Sequence, residues 1–138
     1  MAASESADVD AIKAACTGMF ANLNLTPTER VKYGTDDMVM IRPTGNPLSM
    51  PMYDAMLASD DVVVERQEVL KFNYVDVCGE AGFCCFTQAA KFTFKGSAED
   101  DVAVFTAYLK KKPEGWRIVY AQRSTGRKPT EDMPNFDI

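Results

Sequence analysis

The sequence predicts an α+β domain, with helices first and an antiparallel meander after them. Three observations predict it. Helix-spaced apolar positions are confined to the first part of the chain, as at Ile12, Ala15, Cys16, Met19 and Phe20. From Val62 onward, four long segments rich in Val, Phe and Tyr follow one another, joined by short Gly- or Pro-bearing turns. Those segments are apolar on both faces, so both sides of the sheet need a cover.

In chain order, residues 7–22 read as an amphipathic helix, with Ser6 or Asp8 placed to cap it and Asn22 or Asn24 to end it. Thr26-Pro27-Thr28-Glu29 reads as a turn opening a second short helix that runs to about Gly34. A short strand is predicted at 38–42, broken by Pro43, Gly45 and Pro47. Ser49 is a capping residue for a helix at 50–58, and Asp60-Asp61 closes it. The four meander strands are expected at 62–78, 83–95, 101–112 and 116–125. A length of 138 residues suits one domain over 1–138, with 1–6 and 130–138 expected as loose ends.

Composition narrows the function classes. The chain has no histidine, which removes Ser-His-Asp and Cys-His catalysis and His-ligated metals. Neither a cofactor nor a metal is expected: there is no Gly-rich phosphate loop and no CxxC pair among Cys16, Cys78, Cys84 and Cys85. These cysteines read as small core residues in a reduced interior. A net charge of −5 argues against a nucleic-acid partner, and no apolar run is long enough for a membrane helix. The acidic N-terminus has no signal-peptide core, so a cytoplasmic location is expected. A transit peptide already removed would leave no trace, which keeps an organelle as the alternative.

Strict alternation on the last strand places Val119, Ala121 and Arg123 on the side of Phe105 and Ala107. It groups Tyr120, Gln122 and Ser124 with Trp116 and Ile118, on a face expected to meet a second copy of the chain. On the Phe105 side an arginine would sit in apolar surroundings and need a carboxylate or an anionic ligand. Arg123 is therefore the leading ligand-binding candidate, against the alternative of a structural salt bridge. Arg42, at the end of the short strand, is a second candidate. Asp36, Asp37, Asp54 and Asp76 are the candidate bases for acid–base chemistry, with Tyr33, Tyr53 and Tyr74 as hydroxyl donors.

The order of elements resembles the nuclear-transport-factor-2-like (SnoaL-like, cystatin-like) superfamily. Two segments sharpen the resemblance. Trp116-Arg117-Ile118-Val119-Tyr120-Ala121-Gln122-Arg123-Ser124 is similar to the Trp-x-Ile-Val-His-x-His-Arg-Ser strand of the calcium/calmodulin-dependent kinase II association domain. Met38-Val39-Met40-Ile41-Arg42-Pro43, followed by Gly45-Asn46, is similar to that family's Met-Thr-x-Phe-Glu-Pro run with its Gly-Asn. The resemblance implies a curved sheet around the helices, a conical pocket, and pocket arginines. Arg123 matches one of these arginines; Ala107 and Thr87 stand where the other two are placed, and Thr87 is carried as a lining candidate. Tyr120 and Gln122 replace both strand histidines. Metal-free iota-type carbonic anhydrases of the same superfamily use a threonine where this chain has Val39, and a histidine-serine run of which only Ser124 is left.

Three functions compete on this reading. One is a dimer, formed through the outer sheet face, that binds a small anionic or carboxylate ligand. Another is a metal-free isomerase, dehydratase or cyclase, or a divergent iota-type carbonic anhydrase. The third is an oligomerisation module.

Overall fold

The computed structural model describes residues 3–127. Helix α1 spans Ala3–Phe20, so it starts before the predicted residue 7 and takes in part of the segment expected to be loose. The predicted loose end at 130–138 lies outside the described residues. Helix α2 (Pro27–Arg30) follows; the Thr26 hydroxyl caps it by accepting the Glu29 N–H at 3.2 Å. Strand β1 (Gly34–Ile41) and a three-residue strand β2 (Pro47–Ser49) lead into helix α3 (Met50–Ala58), capped by Ser49. Strands β3 (Val62–Cys78), β4 (Ala81–Phe94), β5 (Ser97–Lys112) and β6 (Gly115–Arg127) complete the chain.

The six strands form one sheet in the order β2-β1-β6-β5-β4-β3. The meander β3 to β6 is antiparallel throughout, and β1 joins β6 in parallel, which makes the sheet mixed. Such a parallel neighbour needs a long crossover, and residues 42–114 supply it. Glycine-bearing turns at 45, 79, 96 and 115 adopt positive φ, where an L side chain would be strained.

Curvature has a local cause. Three register shifts on β3, within 64–66, 69–71 and 72–74, each give that strand one more residue than β4. Extra residues on one strand bend it and increase its twist. The concave face receives α1, whose Ile12, Ala15, Cys16, Met19 and Phe20 are all buried. Close approach depends on small residues: a Cβ at Gly82 would lie 2.6 Å from Ile12 Cδ1, and one at Gly18 would run into the Tyr33 ring. Phe86 and Phe105 stack at 5.1 Å, and Phe20 of α1 reaches Phe105 at 4.5 Å.

A β-bulge at Val119 corrects the predicted faces of the last strand. Leu109 pairs with Ile118 but Tyr108 pairs with Tyr120, so Val119 is an added residue and the alternation flips. Trp116 and Ile118 are consequently core residues, on the same face as Ala121. The Trp116 indole donates to Asp8 at 3.0 Å, and so belongs to the interior and not to an interface. That bond, with Lys111 second, holds the Asp8 carboxyl below its ordinary range. Tyr120, Gln122 and Ser124 point outward.

The convex face carries a continuous apolar row. Phe83 pairs with Tyr108, Tyr108 pairs with Tyr120, and Tyr74 meets Phe83 edge-on at 6.0 Å. All four are exposed. Both faces are thus apolar, as the strand composition requires, but among the described residues only the concave one is covered.

Candidate functional site

Between α1, α3 and the concave sheet lies a cavity of about 180 Å³. Its apolar wall comes from Phe20, Met40, Tyr53, Leu57, Phe92 and Phe105, among others, and its polar groups are Arg42, Arg123, Gln67, Gln88 and the Tyr53 hydroxyl. Wider hollows of about 380 and 420 Å³ elsewhere border lysines and acidic residues on the surface and lack such a wall.

Register explains the placement of Arg123. Phe72, Phe86, Phe105 and Arg123 pair in turn across β3, β4, β5 and β6, so all four project to the concave side. Arg123 is not an open cation there: its Nη2 donates to Asp101 at 3.1 Å, and its guanidinium lies 5.8 Å from the Phe92 ring centre. Both partners of this pair are largely buried. The structural ion pair posed as the alternative is therefore present.

Arg42 is placed differently. It continues the inward alternation of Met38 and Met40 just beyond β1. Its Nε is buried and has no hydrogen-bond partner among the described residues. None of the described lining residues is acidic. Gln88 is buried and donates its amide to the carbonyl of Phe20, closing the C-terminal end of α1.

Tyr53 sits on α3 and is 5% exposed. Burial pushes its phenol up to about 12; the neighbouring Asp54 carboxylate adds to the shift and Arg30 opposes it. A phenol normally ionises near 10. Because the folded value is raised, the stability this burial supports is intact below about pH 10 and is lost as the pH climbs towards 12. Phenolate absorbance of the folded protein should show one of the five tyrosines titrating late, and Tyr53→Phe should remove that phase.

Of the six predicted lining residues, the structure brings Arg42, Tyr53 and Arg123 together. It does not bring the other three. Thr87 lies on the convex face, in the row of Val104 and Ser124, where its hydroxyl accepts from Asn73 at 2.9 Å. Tyr74 is on the same convex face, 56% exposed. Tyr33 packs over Gly18 of α1, away from the cavity wall. The candidate bases are also elsewhere. Asp54 is engaged by Arg30 in a two-pronged pair at 2.6 and 2.7 Å. Asp36, Asp37 and Asp76 do not line the cavity. Gln67 and Asp101 were not among the candidate site residues; the structure places Asp101 inward on β5, paired with Ala90 of β4.

No three His, Cys, Asp or Glu side chains cluster in metal-binding geometry among the described residues. Cys16 and Cys84 are buried in the core, whereas Cys85 is half-buried and Cys78 exposed. No described helix is long and apolar enough to cross a membrane.

Comparison with solved structures defines the class first. The chain has an NTF2-like fold. An NTF2-like protein of unknown function from Prochlorococcus marinus is 32% identical, over 93% of this chain and 96% of that one, with a TM-score of 0.74. A ketosteroid isomerase-like protein from Erwinia carotovora atroseptica is 18% identical, over 90% and 98%, with a TM-score of 0.67. The association domain of C. elegans CaMKII is 17% identical, over 89% and 96%, with a TM-score of 0.62. Within that class the chain belongs to the DUF3804 family, described as a protein of unknown function, whose profile matches residues 4–137. No curated protein matches the sequence.

Proposed function

We propose that this domain binds a small anionic ligand in the concave cavity, with Arg42 as the principal anion contact. The observation that carries this reading is the buried Arg42 Nε without a partner among the described residues, in a wall whose described residues include no acid. A desolvated guanidinium donor left unpaired is costly, and a carboxylate or similar anion removes that cost. Arg123 supports the reading in a secondary way. Asp101 already balances it, so the site carries one uncompensated positive charge and suits a monoanion. A volume of about 180 Å³ is below the ~300 Å³ at which drug-sized sites begin, so the anion is small.

Thermal-shift and calorimetric titration with benzoate and phenylacetate test this. Arg42→Gln should weaken binding about tenfold or more, the scale of a charge-assisted hydrogen bond. Equal binding by wild type and variant, or no binding to wild type, would overturn the assignment.

The geometry favours binding over acid–base catalysis. An isomerase or dehydratase mechanism needs a carboxylate in the apolar cavity, and the described lining residues supply none. Val39 and Ser124, the carbonic-anhydrase-like positions, flank Tyr120 and Val104 on the convex side.

We also propose that two copies associate through the convex row of Tyr74, Phe83, Tyr108 and Tyr120. A contiguous exposed aromatic row with polar tips has the composition of an interface core. Likeness to an association domain agrees with assembly. Sedimentation equilibrium should give a dimer, and Tyr108→Lys should dissociate it. A monomeric wild type would end this proposal, and a large ring would favour the oligomerisation module instead.

A further inference from the structure

The cavity beside Arg42 does not end at α3. Tyr53, Leu57, Val62, Val64 and Gln67 also border a second cavity of about 120 Å³, completed in part by Asn22. The two spaces therefore share a wall of α3 and β3 residues. They differ in chemistry. The Arg42 side is positive and aromatic, whereas the described residues that line the second space include no charged one and carry the amides of Asn22 and Gln67.

Tyr53 stands on the shared wall. The residue is 5% exposed; its hydroxyl makes no hydrogen bond to another described residue and is not sealed from the space around it. The polar groups beside it are committed: Arg30 and Asp54 bind each other through two hydrogen bonds. A phenol O–H on the shared wall that is neither sealed off nor used by another described residue is a donor that a bound molecule can use.

We infer that the two spaces are compartments of a single site, built for a monocarboxylate whose far end carries an uncharged hydroxyl or carbonyl group held by Tyr53. The inference rests on the anion-binding reading and adds the class of ligand to it. The carboxylate takes the Arg42 side. An apolar body lies against Phe92 and Phe105. The far group enters the compartment without charges, where an ion would be stranded but a neutral oxygen is accommodated. Tyr53 stays protonated to about pH 12, so it presents an O–H donor at neutral pH. Gln67, half-buried and common to both walls, is placed to adjust between them.

The test is a matched pair of probes, phenylacetate and 4-hydroxyphenylacetate, titrated into wild type, Tyr53→Phe and Arg42→Gln. Wild type should bind the hydroxylated probe about five- to tenfold more tightly, the scale of one net hydrogen bond. Tyr53→Phe should abolish that preference, so that it binds the two probes alike, while Arg42→Gln should weaken both. Since the hydroxyl has no protein partner, Tyr53→Phe should also keep the melting temperature of the wild type. If wild type does not discriminate, or Tyr53→Phe keeps the preference or melts well below wild type, the two-compartment inference fails and the anion site stands. If neither probe binds wild type, or Arg42→Gln changes nothing, the anion site fails and the inference with it.

Discussion

Asp54→Ala is expected to destabilise the domain by about 3–5 kcal/mol, the usual cost of removing one partner of a buried ion pair. Arg30 is the reason. Its side chain is 8% exposed, and Asp54 accepts from both Nε and Nη2. The pair raises the Arg30 pKa above its ordinary value, with the Asp54 hydrogen bonds as the largest cause, so the guanidinium cannot escape its burial by losing a proton. Its Nη1 already has no partner among the described residues, which leaves no reserve when Asp54 goes. The pair also joins α2 to α3, the helix that presents Tyr53 to the cavity. Urea unfolding should show a lower midpoint with an unchanged slope. A shift within experimental error would mean that water replaces Asp54 freely and that the pair is peripheral.

Phe86→Ala should cost a similar amount, about 3–5 kcal/mol, for a different reason. Phe86 is completely buried and contacts Phe20, Phe72 and Phe105, the last in a parallel stack at 5.1 Å. Its removal takes away the transfer free energy of the ring and leaves a void that α1 and the sheet cannot close together. Phe20 and Phe105 also line the ligand cavity. The variant should therefore enlarge that cavity as it lowers the melting temperature, by about 10–20 °C for a domain of this size. A small shift in melting temperature would mean that the three remaining rings repack into the space.

The architecture was legible because it depends on local signals. The capping roles of Thr26 and Ser49, the apolar spacing of α1 and the glycines at the turns each act over a few residues. The strand bounds followed from runs of β-branched and aromatic residues between those turns. The two-residue strand period failed where a single residue was added. Val119 moved Trp116 and Ile118 to the core, and the three shifts on β3 redistributed its faces. A bulge leaves no reliable composition signal, since it is decided by how a partner strand pairs.

The site was half legible on the same grounds. Arg123 could be placed inward from alternation, because it follows Ala121 on the side of Phe105, and Arg42 was a candidate from its place at the end of the short strand. Thr87 and Tyr74 were assigned to the cavity and lie on the convex side. Which arginine is already neutralised depended on Asp101, a residue of the neighbouring strand.

The sequence by itself determined the class of domain, the order of its elements, the absence of imidazole chemistry and the need to cover two apolar sheet faces. Each of these follows from residue type and short-range spacing. Tertiary structure alone decided which cavity arginine is already paired, which tyrosine stands on the cavity wall and which sheet face the described helices cover. Those are properties of pairs of residues distant in the chain, set by strand register and helix docking, and no single segment encodes them.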